Sequence, residues 1–409
     1  MVKHIMERFD SFLSYIEAIS IFDAVHWNLP GCEIVEVEHA SGKISASRIL
    51  SPVNIPDKNK AAMDGYAVNH QDTVNASDHN AARLRLDGVN IAGGNAGLPL
   101  RSGQCREIYT GSIMPEGADA VIKVENCEQS DDYVYVYSPV LPGENIASTG
   151  EDITIGSPLL WEKAIVRPQN ISAMNAAGIK SIMVYRNITI GIVNTGRELV
   201  TGQINNSTGA LLRSFYQNSF INIIDGGIVD DSTDSIRNKI LNLGSKCNII
   251  IVTGGSSLGR KDLTTDAISE IGKMLFSGVA IKPGRTIALF DMDSTPVLSV
   301  SGLPVAALLS SLIFVNRYIY NAFGIELTEK APAILDERIH NKTGFTTFQV
   351  MDTFEKGGEL HARPLETTAS GRISSLLQGN SFTSIDENLE GIEEGSRIMI
   401  NVIGDIKWE

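Results

Sequence analysis

Apolar residues at the start of the chain, Ile5, Phe9, Phe12, Ile16 and Ile19, recur at helical spacing and predict an opening helix. From about residue 40 to about 160 the pattern becomes short alternating stretches separated by Gly, Pro and Asn, as in Arg106–Tyr109, Asp119–Val124 and Tyr133–Tyr137. Alternation of that length predicts strands joined by turns. Val166 to Gly178 then predicts a short helix, with Gly178 as its stop.

The texture changes near residue 187. Ile188–Val193 and Asn248–Val252 are compact apolar runs, and Ile221–Val229 is strand-like. Between them, helical spacing joins Leu211, Leu212, Phe215 and Phe220, then Ile236 and Ile240, then Ala267, Ile268 and Ile271. Strands and helices alternating at this length indicate a doubly wound, mostly parallel α/β domain. Val305–Ala322 predicts its closing helix, and the last 80 or so residues return to short strands. The expected organisation is multidomain α/β and β: residues 1–48 with 141–186 as an elongated linker domain, 49–140 β-rich, 187–325 α/β, and 326–409 a small β-barrel-like domain.

Composition narrows the function. With 409 residues, 43% of them hydrophobic and 20% charged, the chain has the apolar mass for several cores. Lys and Arg total 34 against 48 Asp and Glu, a net charge of -14, which argues against nucleic acid as a partner and favours a small molecule. Cys32, Cys105, Cys127 and Cys247 form no C-x-x-C pair, which disfavours a zinc site. Glu7, Arg8 and Asp10 interrupt any signal-peptide core, and the apolar run from Pro304 to Val315 is too short for a bilayer. The expectation is a cytoplasmic protein with no membrane contact.

Ligands of open α/β sheets bind at the carboxyl ends of the strands. Three strands here lead into polar turns: Asn194-Thr195-Gly196-Arg197-Glu198, then Asp230-Asp231, then Thr253-Gly254-Gly255-Ser256-Ser257-Leu258-Gly259-Arg260-Lys261-Asp262. The glycines let backbone N–H groups approach a phosphate, and Thr253, Ser256 and Ser257 add hydroxyl donors. Carboxylates beside a phosphate make sense if Glu198, Asp230 and Asp262 hold Mg²⁺, which takes oxygen ligands and bridges to phosphate. Read singly, Asp230 serves equally as a helix cap and Glu198 as a solvated side chain. Lys282-Pro283-Gly284-Arg285 could supply cations to an oxyanion, and reads equally as a solvated turn. Neither G-x-x-x-x-G-K-[ST] nor G-x-G-x-x-G occurs, which argues against a P-loop or a Rossmann site.

Further segments carry a resemblance. SPVNIPDKNKAAMDGYAV, YTGSIMPEGADAVIKVE, GENIASTGEDI, IGIVNTGRELV, GGIVDD, TGGSSLGRKD, AIKPGR, SGRISSLLQGN and EGIEEGSRI, in this order, resemble the molybdopterin molybdenumtransferase family of the MoeA and gephyrin E-domain type. The likeness covers nearly the whole chain. It implies a homodimer of four-domain subunits, with the active site between the α/β domain of one subunit and the N-terminal β region of the other. It also implies adenylated molybdopterin and molybdate, or tungstate, as substrates, Mg²⁺ as cofactor and AMP as a product. Contact with a molybdopterin adenylyltransferase is a further implied partnership. Carried over by position, Asp64, Asp152, Glu198, Asp230 and Asp262 are the acidic site residues, with Glu198 and Asp262 at the metal and Lys282 the cation. Thr253, Gly254, Gly255, Ser256, Ser257, Gly259, Arg285 and Pro304 fall in the matching cofactor-binding segments.

The chain departs from the family pattern in several places. Gly302-Leu303-Pro304 runs straight into Val305, where the family has G-L-P-G-N-P-V-S-A. Asn206-Ser207-Thr208 stands where a carboxylate is usual, and Gly278 where a cation is common. Removal of polar groups from the anion side keeps two alternatives open: a non-catalytic relative that binds or carries molybdopterin, and an adenylyltransferase-like activity.

Overall fold

The structure, a computed structural model, describes residues 12–254, 263–365 and 372–408. The chain divides into two compact units, one made of the residues up to Glu33, Gly42–Ile44 and everything from Tyr185 onward, the other of Ile34–Ser41 with Ser45–Val184.

In the second of these, a six-stranded sheet runs in the order Ala120–Lys123, Gly65–Val68, Gln104–Ile108, Ala82–Asn90, Tyr133–Val136, Cys127–Ser130. Tyr66, Leu84, Cys105, Ile122, Val134 and Val136 form its core, as the alternation predicted. A separate core gathers Val37, Leu160, Val166 and Met174 around the helix Pro168–Ala176, and Gly178 follows that helix with φ 76°, the left-handed stop expected of it.

The other unit holds the α/β sheet, in the order Ile221–Val229, Ile188–Thr195, Ile249–Thr253, Thr295–Val300, Ala288–Met292, Lys273–Ser277. The first four strands are parallel, Ala288–Met292 runs against them, and Lys273–Ser277 pairs antiparallel to Ala288–Met292. Ile249–Thr253 is buried at every position, the signature of a strand covered on both faces. Helices Thr233–Gly244 and Leu263–Ser269 bring Ile236, Ile240, Leu243, Ala267 and Ile268 to a core that includes Val252 and Val297. Helices Ser207–Tyr216 and Pro304–Phe323 are joined by a buried hydroxyl pair, Tyr216 with Ser311 at 2.8 Å.

C-terminal to this sheet, Thr346–Lys356, Glu359–Pro364, Glu329–Leu335, Arg397–Val402 and Ser381–Ile385 pair in sequence, and the last pairs back to the first, which closes a five-stranded barrel. The short strand Ile281–Lys282 adds to it, parallel to Thr346–Thr347.

Ile5 and Phe9, where the spacing predicts the opening helix to begin, lie outside the described residues, and the first helix among the described residues comes after them. It spans Tyr15–Asp23 and starts at Ser14, whose hydroxyl accepts from the Glu17 N–H at 3.2 Å while the Glu17 carboxylate accepts from the Ser14 N–H at 2.9 Å. That capping box outranks the apolar spacing, so Phe12 precedes the helix. The helix packs on Pro304–Phe323, with Asp23 paired to Arg317 through Oδ1 and Nε at 2.7 Å and Phe22 against Phe314. The contacts just named lie within the unit that holds the α/β sheet.

Candidate functional site at the parallel strand ends

Asn194 and Thr253 are register partners on adjacent parallel strands, both buried. Thr253 donates its hydroxyl to Asn194 Oδ1 at 2.9 Å, and the Asn194 amide donates to the Gly227 carbonyl at 3.4 Å. One side chain thus ties the ends of three strands. The sequence places Asn194 at the start of a strand-end polar turn without giving it this role; a lone polar residue closing an apolar run is the signal that marks it.

Beyond Thr253 the chain needs glycine. Gly254 has φ 111°, and a Cβ there would stand 2.4 Å from the Thr195 carbonyl and hydroxyl oxygens. Gly302 packs against it, at 3.6 Å from the Gly254 Cα to the position of a Gly302 Cβ. The Gly302 carbonyl accepts from the Thr208 hydroxyl at 2.6 Å. Leu303 is the N-cap of the long helix and Pro304 its buried first residue, so the helix begins directly after the strand-end turn.

Glu198 lies on the one-turn helix Arg197–Val200 and is exposed. Gly196 has φ 150°, and a Cβ there would sit 2.9 Å from Glu198 Oε1, so the glycine lets this carboxylate fold back over the strand end. The carboxylate has no hydrogen-bond or ion-pair partner among the described residues. Next to it, the Arg197 N–H donates to Asp231 at 3.1 Å, which joins two strand ends through a residue not singled out from the sequence. Asp230 is exposed and accepts the Asp231 N–H at 3.0 Å; the helix that follows is capped by Ser232, so Asp230 does not serve as its cap. Asn206 caps Ser207–Tyr216 by accepting the Gly209 N–H at 2.9 Å, a role its amide fills without a carboxylate.

Lys282 is exposed and Arg285 half-buried on a turn held at its tip by Gly284, where a Cβ would meet Ser310 at 2.5 Å and the Ala306 carbonyl at 3.1 Å. The turn therefore rests on the N-terminal half of the Pro304–Phe323 helix. Gly255, Ser256, Ser257, Gly259 and Asp262 lie outside the described residues.

Asp64 and Asp152 belong to the other unit. Asp64 Oδ1 accepts both the N–H and the hydroxyl of Thr110, each at 2.7 Å, and the backbone bond above all holds its carboxyl below the usual carboxylate range. Gly65 follows because the Ile122 carbonyl would stand 1.8 Å from any Cβ. Asn59 Oδ1 accepts from the N–H and hydroxyl of Thr149 at 2.9 and 3.0 Å, and the Asp152 N–H donates to the Ile55 carbonyl at 3.1 Å. The Asp57–Gly65 segment is thus the hub to which the 109–112 and 145–152 loops attach. Three segments read separately in the sequence converge there, with Asp152 exposed.

No group of three His, Cys, Asp or Glu side chains is gathered for a metal among the described residues. No helix among them is long and apolar enough to cross a membrane.

Three family models match nearly the whole chain: "MoeA N-terminal region (domain I and II)" over residues 13–178, "Probable molybdopterin binding domain" over 191–320, and "MoeA C-terminal region (domain IV)" over 332–403. A protein of Methanocaldococcus jannaschii assigned to molybdopterin biosynthesis is 31% identical over 384 residues, covering 90% of this chain and 92% of the relative. The molybdopterin molybdenumtransferase of Haemophilus influenzae is 26% identical over 380 residues, at 90% and 93% coverage. The crystal structure of a molybdopterin biosynthesis MoeA protein from Pyrococcus horikoshii superposes with TM-score 0.82 at 26% identity, covering 97% of this chain and 100% of that one.

Proposed function

The chain belongs to the MoeA family of molybdenum cofactor biosynthesis proteins, and from that premise we propose that it inserts molybdate or tungstate into adenylated molybdopterin with release of AMP. The observation that carries the reading is the strand-end junction. There the Thr253–Asn194 and Arg197–Asp231 bonds join three parallel strand ends, beside the exposed Glu198 carboxylate and the Thr253-Gly254 turn. Gly254 brings backbone close to that junction, as a phosphate site requires.

The chain carries a net charge of -14, so anionic substrates need local cations. Lys282 and Arg285 fill that role in the proposal, neutralising charge as the P–O bond to AMP breaks. Mg²⁺ binds through one or two carboxylates together with substrate phosphate oxygens, and the Glu198 carboxylate, which has no partner among the described residues, fits that chemistry. Glu198 would hold it with Asp262, and the ion would supply Lewis-acid polarisation of the phosphate. Gly255, Ser256, Ser257 and Gly259 enter as phosphate-loop donors, and Asp230 as a further acidic group of the site. Asp64 and Asp152 enter as groups supplied by a second copy in a homodimer, and a docking adenylyltransferase as the source of the substrate.

AMP release from adenylated molybdopterin, with molybdate and Mg²⁺ and with tungstate alongside, tests the reading. Glu198→Gln, at an exposed position, should leave the fold intact and slow release roughly 100-fold; undiminished turnover refutes the assignment. A second reading, a relative that binds the pterin without turnover, is favoured by the immediate start of the helix at Pro304, which leaves no loop for extra backbone donors. Tight binding without AMP release selects it.

A further inference from the structure

We propose that Phe12 is a positioning residue for Lys282, holding from outside the site the strand that carries the cation; the inference rests on the role proposed for Lys282 above. Gly278 has φ 88°, and a Cβ there would stand 2.4 and 2.5 Å from two ring carbons of Phe12. The ring therefore occupies the volume that a side chain at 278 would fill. Leu13 continues the contact: it bridges Val279 in parallel register, and the Ala280 N–H donates to the Leu13 carbonyl at 2.7 Å.

The segment so gripped is a closed loop. The Gly278 N–H donates to the Ile287 carbonyl at 2.9 Å, and the Val279 N–H donates to the Arg285 carbonyl at 3.0 Å. Its tip is held by Gly284 on the long helix and one flank by Thr346 and Thr347, with the Thr346 N–H donating to the Ala280 carbonyl at 2.9 Å. The remaining side, at the base, is covered by Phe12 and Leu13. A lysine on a flexible stem acts as a point charge, so the backbone that carries it sets where the charge falls. Small displacements of a charge-bearing backbone translate into large losses of rate.

The grip is local. Phe12 packs against Gly278 and also lines, with Ser14, Glu17, Ala280, Glu387 and Asn388, a cavity of about 490 Å³. Removing the ring should loosen the loop and leave the sheet intact.

The test uses the full chain with Phe12→Ala and Phe12→Leu. Amide exchange across residues 278–287 should accelerate roughly tenfold in Phe12→Ala while Ile249–Val252 stays protected. AMP release should lose roughly 10- to 100-fold in kcat/KM, and Phe12→Leu should restore most of both. Combined with Lys282→Ala, Phe12→Ala should lower the residual rate no further, because its effect passes through the lysine. Unchanged exchange at 278–287, or a full additional loss on the Lys282→Ala background, overturns the proposal. If Phe12→Ala fails to fold, Phe12→Val against Phe12→Leu gives the same comparison. A wild type that releases no AMP refutes the proposed reaction, while the exchange data still judge the arm.

Discussion

Asn194→Ala measures how tightly the strand ends are fastened. The substitution removes the acceptor of a hydroxyl, that of Thr253, which is 2% exposed. A buried donor left without a partner costs about 1–3 kcal/mol. The second bond, to the Gly227 carbonyl at 3.4 Å, is long and adds little. The expected loss is therefore about 2 kcal/mol, a shift of roughly 0.5–1 M in the urea midpoint. Trp27 provides the probe: it is 8% exposed against Phe22, whereas Trp161 and Trp408 are 57% and 82% exposed, so fluorescence reports this unit. Thr253→Val removes the donor, and the double variant removes both partners and strands neither. Its loss should fall short of the summed single losses by about 1 kcal/mol. Strict additivity, or an Asn194→Ala loss under about 0.3 kcal/mol, would refute the view that this pair fastens the strand ends.

Three further outcomes are expected. Gly65→Ala should lower the stability of the Ile34–Val184 unit by about 3 kcal/mol in calorimetry, because its Cβ meets the Ile122 carbonyl, while Gly31→Ala, with nothing within 4 Å, should be near neutral. Asp64 is held below the ordinary carboxylate range by Thr110, so its contribution is present above that range and is lost as pH falls through the folded value; in an NMR titration Thr110→Ala should move the value part of the way back up, and no movement would contradict the geometry. Burial pushes the Cys105 and Cys127 thiols up to about 12 and Cys247 up to about 11, whereas Cys32 is exposed. A maleimide followed by mass spectrometry should therefore label Cys32 first, and rapid native labelling of Cys105 would show otherwise.

Periodicity located the elements whose burial is continuous or cleanly amphipathic. Ile221–Val229 is a strand over the expected residues, and the closing helix extends only one residue beyond the expected Val305–Ala322 at each end. Among the described residues, the apolar spacing carries a helix through Phe12, whereas the capping box at Ser14 and Glu17 begins one at Tyr15. The candidate site was legible where a glycine or a carboxylate had a local reason to be there, as at Gly196 with Glu198 or Asp64 with Gly65. It was illegible where the reason lay across the chain. Asn194 matters through Thr253 and Gly227, Asp231 through Arg197, and Phe12 through Gly278, and no local window contains any of these pairs.

The pairing of Ile281–Lys282 with Thr346–Thr347 also bears on biosynthesis. The partner strand is encoded about 65 residues later, so it leaves the ribosome several seconds after the lysine, at roughly 5–20 residues per second. Until then the parallel sheet can be complete while the cation loop lacks one of its flanks. A nascent chain would thus carry every strand of the α/β sheet before Lys282 gains the flank that Thr346–Thr347 supplies.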